Sequence, residues 1–484
     1  MTPADALAAA PLLVLVGGAC AIVLLDLSSL PGPRLMAGLG AAVALAAGAA
    51  AAVLGTGAPG FGGALLRDGG ALAFTLVVAV ATAMSLALAG GYLAREAVPA
   101  GEFVALVLLS AAGGVLMAVG GDLVVIFLGL ELLSLPLYVL TALLPRAARG
   151  DEGALKYFLL GAATSAVLLY GIALVYAATG HYELAALRGV PPAGSGVPAT
   201  GLAVRPDPSV LPGGPLILAG LAFIVAGLAF KAALVPFHAW APDVYESAPT
   251  PATAFMAVVA KAGAFGALLR IVASTTGSAI DWQVSLAALA ALTLILASFA
   301  AVGQRRVKRL LAYSSIAHAG FLTMGSATGI FAGPAVVFYL AIYGALTVGS
   351  FGVIALLDND DPTIGDLAGL WRHRPVLVLA LAVFLIGLTG LPPTGGFLAK
   401  LYVFEAAIHS QLLWLVVIGV LASVVSAAYY FRVLLACFQP GDASASPHPA
   451  PRLGTVVVSV AALAVLAAGV VPGPLLDLAQ HATY

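Results

Sequence analysis

Apolar stretches of about 20 residues, long enough as helices to cross a hydrocarbon core of about 30 Å, recur through this chain from one end to the other. They fall at 7–26, 34–55, 71–93, 102–120, 122–144, 153–178, 215–235, 250–273, 283–302, 309–327, 331–357, 376–408, 411–437 and 454–475. The pattern predicts an all-α, polytopic membrane protein of about fourteen transmembrane helices. Little is left to face water, since 62% of the 484 residues are hydrophobic and 8% are charged, against roughly a quarter charged in soluble domains. The longest polar interruption, 180–214, is rich in proline and glycine and predicts an external loop with no core of its own. A second, around 358–374, carries Asp358, Asp360, Asp361, Asp366, Arg372 and Arg374 and reads as a surface connector. No base precedes the first stretch, which is therefore expected to be retained as a helix and not cleaved.

The twenty basic residues test the count, because cytoplasmic loops gather lysine and arginine. On fourteen spans, thirteen fall on one side, among them Arg34, Arg95, Lys156, Arg305, Arg306, Lys308, Arg309 and Arg452. Four fall on the other: Arg67, Arg188, Arg205 and Arg270. Dropping one span would invert every later loop and largely destroy this contrast. The split predicts that both termini face away from the cytoplasm.

The remaining three bases, Lys231, Lys261 and Lys400, lie inside apolar spans. Each costs about 3 kcal/mol at a helix centre unless it finds a partner or water, so an intramembrane lysine is a functional candidate by default. Glu131, in Gly129-Leu130-Glu131-Leu132-Leu133-Ser134-Leu135-Pro136, lies about nine residues into its span. Pairing Glu131 with a lysine would relieve both buried charges. Such a pair suits a pump, because burial and a neighbouring carboxylate act on a lysine in opposite directions, and separating the two releases a proton. The competing reading is an ion pair that only fixes helix packing.

Helix breakers stand beside two of these lysines. Pro236 and Pro242 follow Lys231, and Gly390-Leu391-Pro392-Pro393-Thr394-Gly395-Gly396 precedes Lys400, which predicts broken helices near 231–248 and 388–400. Unwound backbone at membrane depth is tolerated only where it is buried in protein or lines a wet cavity, and paired broken helices point to an ion path in transporters built from repeats. Tyr313, Ser314, Ser315 and His318 add polar groups on one span, with Ser314 and His318 on a common face. His318 reads either as a proton relay or as a buried histidine bonded to a serine. Lys156, at the edge of the sixth span, either begins the path, with Thr164 and Ser165 two turns on, or snorkels. His238 and Glu405 are neighbours of the path for which a structural role is favoured.

The formal net charge of −1 attracts no nucleic acid. Cys20 and Cys437 sit apart in apolar runs, so neither a disulfide framework nor a metal or iron–sulfur site is expected. No phosphate-binding loop occurs, and the Gly-x-x-x-Gly spacings sit in spans, where they read as helix packing. No cofactor is expected in this chain, and energy for directed transport has to come from a partner or an ion gradient.

From Lys231 through Pro236-Phe237-His238-x-Trp240-x-Pro242-Asp243-Val244-Tyr245-Glu246, on to Ala248-Pro249-Thr250-Pro251 and Lys261-Ala262-Gly263, the sequence resembles the antiporter-like subunits of respiratory complex I. This stretch and Leu391-Pro392-Pro393-Thr394-Gly395-Gly396-Phe397-x-x-Lys400 resemble the subunit N group in particular. The resemblance implies two inverted five-helix repeats, at 102–273 and 283–437, in a single transmembrane domain with three helices before them (1–100) and one after (454–475). It implies a proton path in which Glu131 pairs with Lys231, Lys261 is the central relay and Lys400 the terminal lysine, with Lys156 and His318 near the uptake side and the centre. A lysine at 400 departs from the subunit M pattern, and the absence of a long lateral C-terminal helix departs from subunit L. The implied setting is the bacterial inner membrane, beside other membrane subunits of the NADH-quinone oxidoreductase, with quinone reduction taking place elsewhere in the complex. The alternatives are a multisubunit cation/proton antiporter, a membrane-bound hydrogenase subunit, and a structural scaffold.

Overall fold

The computed structural model describes residues 2–28, 32–144, 148–187, 214–275, 281–441 and 451–482. Among them all regular structure is helical. The first three helices are α1 (Pro3–Asp26), α2 (Pro33–Leu54) and α3 (Gly69–Arg95). A run of seven follows: α4 (Ala100–Val119), α5 (Leu123–Ala142), α6 (Ala148–Thr179), the short α7 (Leu184–Leu187), α8 (Pro215–Ala232), α9 (Trp240–Ser247) and α10 (Thr250–Ser274). The second run is α11 (Trp282–Val302), α12 (Val307–Ser326), α13 (Ala332–Ala355), the short α14 (Leu370–His373), α15 (Pro375–Thr389), α16 (Gly395–His409) and α17 (Leu413–Phe438). The chain closes with α18 (Arg452–Val470) and α19 (Gly473–Gln480).

Local sequence explains where these helices begin. Thr2 and Asp5 form a reciprocal capping box on α1, and the Asp68, Asp122 and Asp281 side chains each accept a backbone N–H at the start of α3, α5 and α11. Proline opens α2, α8 and α15, where its missing N–H costs nothing.

Twelve helices among the described residues are long and apolar enough to cross a membrane, so the chain is a multi-pass membrane protein, as its sequence predicts. Two of the fourteen stretches differ from that pattern for physical reasons. α12 has the length, but Lys308, Arg309, three serines and His318 dilute its apolarity. The stretch at 376–408 is two helices, α15 and α16, of 15 residues each, or about 22 Å apiece. The loop expected at 180–214 falls mostly, from 188 to 213, outside the described residues.

Both predicted breaks are present. α8 ends at Ala233 in the left-handed region and the chain re-enters a helix at Trp240, while α15 ends on left-handed Gly390 and resumes at Gly395. α10 and α13 pack against each other at the centre, and nearly every residue of both is buried.

The polar connector at 358–374 is less of a free surface than its composition suggests. Asp360 accepts from Thr250 Oγ1 at 2.5 Å and from Lys308 Nζ at 3.2 Å, and Asp361 pairs with Arg306. Lys308, assigned from sequence to a cytoplasmic loop, is fully buried. Arg270, assigned to the opposite loops, is likewise buried in α10, where it forks onto Asp68 at 2.7 and 2.8 Å. In both cases a carboxylate on a neighbouring segment supplies the partner that a burial estimate from one stretch of sequence cannot see.

Candidate functional site

Lys231, Lys261 and Lys400 point into the protein, with exposures of 2%, 1% and 4%. None of the three meets a carboxylate within 4.0 Å among the described residues, and each ammonium is held by neutral oxygens.

Lys231, in the last turn of α8, donates to Ser134 Oγ at 2.9 Å and to Tyr157 Oη at 3.1 Å. The expected Glu131 pair is therefore corrected: Glu131 is not in ion-pair contact with Lys231. Ser134, about one turn further along α5, takes the contact instead. Glu131 remains close enough for its charge to act on Lys231, and one of its carboxylate oxygens is buried with no hydrogen-bond partner. At the α8 break, Phe230 O accepts both from Ala233 N at 3.0 Å and from Trp240 Nε1 at 2.9 Å.

Rings connect the first lysine to the second. Tyr157 stacks on Trp240 at 4.4 Å, Trp240 meets Tyr245 edge-on at 6.0 Å, and Lys261 Nζ lies 6.0 Å over the Tyr245 ring. Lys261 donates to Ser315 Oγ at 2.6 Å, Ser315 bonds Tyr343 Oη at 2.8 Å, and Tyr343 donates to Ala257 O at 3.3 Å. These hydroxyls form a consistent chain leading away from the lysine.

His318 continues the row one turn along α12. Its ring lies 5.2 Å from that of Tyr343, its Nδ1 is 2.6 Å from Tyr339 Oη, and its Nε2 is 3.4 Å from Tyr430 Oη, which also bonds Ser314. The shared face expected for Ser314 and His318 is thus real, since one tyrosine meets both. Phe321 separates His318 from Lys400, whose Nζ lies 4.6 Å over the Phe321 ring.

Lys400 follows its break in sequence but reaches back across it, donating to Thr389 O at 2.8 Å and to Ser423 Oγ at 3.0 Å. Thr389 is the last residue of α15, so the ammonium sits where carbonyls are unpaired and the helix dipole is negative. Two glycines make room for this. A Cβ at Gly390 would lie 2.6 Å from Lys400 Cδ, and one at Gly396 would lie 1.9 Å from Gly387 O.

Lys156 stands apart from the row. It is exposed and pairs with Glu152 at 2.7 Å and Asp243 at 3.1 Å. Thr164, expected to lead inward from it, donates to Leu160 O of its own helix. Asp243 also takes Arg309, and Glu246 takes Arg306 and Arg309, so Lys156 belongs to an ion cluster at one end of the bundle. His238 is half-buried with Nδ1 unpartnered, and Glu405 is exposed beside His409.

The sequence reading missed Tyr157, Tyr339, Tyr343, Tyr430, Thr389 and Ser423. Tyr339 and Tyr343 are four apart and share a face of α13, a signal that was available. Tyr157 is the immediate neighbour of Lys156, turned by about 100° on the helix, and it is the one that faces inward.

Comparison with known proteins agrees with this architecture. The family described as NADH:quinone oxidoreductase/Mrp antiporter, TM matches residues 120–426, a span that contains Glu131, His318 and the three lysines of the row. NADH-quinone oxidoreductase subunit N 1 of Sorangium cellulosum is 39% identical over 93% of this chain and 91% of its own length. A chain in respiratory complex I from Thermus thermophilus is similar in structure, with a TM-score of 0.81 and 35% identity over 96% of this chain and 98% of that one. A chain of the Mrp complex from Dietzia sp. has the same fold at 22% identity, with a TM-score of 0.78 over 100% of this chain and 97% of that one. The row of buried lysines thus lies in a chain that belongs to the NADH:quinone oxidoreductase/Mrp antiporter family and, within it, to the antiporter-like subunit N group of bacterial complex I.

Proposed function

We propose that this chain is a proton-translocating membrane subunit of a bacterial NADH-quinone oxidoreductase, driven by quinone reduction elsewhere in that complex. Its partners are the other membrane subunits of the complex, and its termini face away from the cytoplasm. α12 and the α15/α16 pair complete fourteen crossings. α4 to α10 and α11 to α17 then form two five-span repeats that enter from opposite faces, each with its fourth span broken.

The observation that carries this reading is the set of three buried ammonium groups held by hydroxyls and carbonyls without a carboxylate in contact. A purely structural lysine is satisfied by a close counter-charge, as Lys308 is by Asp360. A relaying lysine has to exist in both protonation states, and neutral partners permit both. Glu131 biases Lys231 through space, and a change in that bias sends the proton past Tyr157, Trp240 and Tyr245 toward Lys261, Ser315 and His318, and then Lys400. Lys156, with Asp243, serves the uptake end.

The test is Lys231→Ala and Glu131→Ala in the assembled complex. Proton extrusion and coupled turnover are expected to fall in both. Unchanged stoichiometry and rate would remove both residues from the path.

A further inference from the structure

Away from the lysine row, a cavity of about 420 Å³ opens where the first turns of α2 and α18 meet the last turns of α3. Its size falls within the roughly 300 to 1,000 Å³ typical of ligand pockets. Arg34, in the first turn of α2, and Arg452, the first residue of α18, both line it. Neither makes an ion pair among the described residues. Arg95, Arg306 and Arg309, by contrast, each pair with a carboxylate, and Arg432 donates to the backbone carbonyls of Val302 and Gln304.

Two glycines bring the starts of α2 and α18 close to α3. On α3, a Cβ at Gly90 would lie 3.0 Å from Arg34 Cα, and one at Gly91 would lie 2.6 Å from Pro451 Cγ. Only bare backbone here lets both helix starts close on α3 at one level. Neither start has a side-chain cap, so the cationic forks add to unsatisfied N–H groups and positive helix ends. Leu88 and Leu453 supply apolar wall. The cavity lies within a turn or two of three helix ends, the depth at which a membrane changes from hydrocarbon to headgroup, and on the side where the sequence concentrates its bases.

From this geometry we infer that the cavity between Arg34 and Arg452 holds the phosphate of an anionic phospholipid, with the glycerol and upper acyl chain along Leu88 and Leu453. Guanidinium forks match phosphate oxygens in pairs, and basic pockets between membrane helices take such headgroups.

The test uses the assembled complex in lipid nanodiscs containing photoactivatable phosphatidylglycerol, or photoactivatable phosphatidylcholine in a parallel arm. Phosphatidylglycerol should label the peptides around Leu88 and Leu453, and R34Q/R452Q should bind it about 30-fold more weakly. Phosphatidylcholine should label those peptides weakly in both proteins. R34K/R452K, which keeps the charge, should retain most of the labelling and so shows that a loss in the glutamine variant does not come from misfolding. Equal phosphatidylglycerol labelling in wild type and R34Q/R452Q overturns the inference. So does displacement of the label by millimolar inorganic phosphate, which would identify a free-anion site, or crosslinking of a neighbouring subunit into the cavity.

Discussion

A buried ammonium has three N–H groups to place, and at Lys231 the Ser134 and Tyr157 hydroxyls take two of them. Tyr157 also stacks on Trp240, so its ring and its hydroxyl do separate work that substitution can divide. Tyr157→Phe keeps the stack and removes the acceptor. Complex stability should fall by about 1 kcal/mol, read as a shift of the thermal unfolding midpoint, while proton extrusion should fall well beyond what that shift explains. Extrusion equal to wild type would place the hydroxyl outside the path. The residue scale is also where the sequence was least legible. Lys231 was identifiable because a charge in an apolar run is conspicuous, whereas Tyr157 is an unremarkable residue in an apolar helix. Its role depends on the direction it faces, and that is set by how α6 packs against α8 and α9.

At the scale of elements, prolines and glycines made both broken helices readable, since neither residue continues a helix without loss. Which carbonyl each break exposes, and which group reaches it, was not readable. Phe230 O, which also takes the Ala233 N–H, is met by an indole and Thr389 O by an ammonium, so the two breaks are closed by different chemistry. Gly390→Ala should disturb the second break in two ways. The left-handed φ of 86° costs a side-chain-bearing residue about 1 to 2 kcal/mol, and the new methyl displaces Lys400. A lower unfolding midpoint together with reduced proton extrusion is expected, and extrusion at the wild-type level would show that Lys400 does not need its Thr389 contact.

The Asp68 to Arg270 lock joins α3 to α10 and gives a pH dependence of definite sign. Partial burial works against ionisation of Asp68, but Arg270 outweighs it and holds the carboxyl below its ordinary value of 3.8. A depressed carboxylate stabilises the fold above its unfolded value, and the contribution is lost as pH falls through about 4 and below. Asp68→Asn should therefore flatten the acid limb of the stability profile, measured as the unfolding midpoint against pH, and should lower that midpoint at neutral pH because the buried Arg270 loses the Asp68 charge.

Over the whole molecule, the span pattern was legible because hydrocarbon imposes one length on every crossing. The row of polar groups was legible only as a set of costly residues, since their order in space comes from α10, α12 and α13 meeting at the centre. That row now separates two explanations of the lysines, because charge and exchangeability are distinct properties. Arginine keeps the positive charge but does not give up its proton in a protein. Were Lys261 a packing device that needs only its charge, Lys261→Arg would preserve function wherever the complex assembles. For a relay, the arginine has to be as damaging as Lys261→Ala, even though its fork can still donate to Ser315. The expectation is that both variants assemble and retain redox turnover with an artificial quinone acceptor, and that both lose proton extrusion to a similar degree. Wild-type extrusion by an assembled Lys261→Arg complex would show that the proton does not pass through position 261.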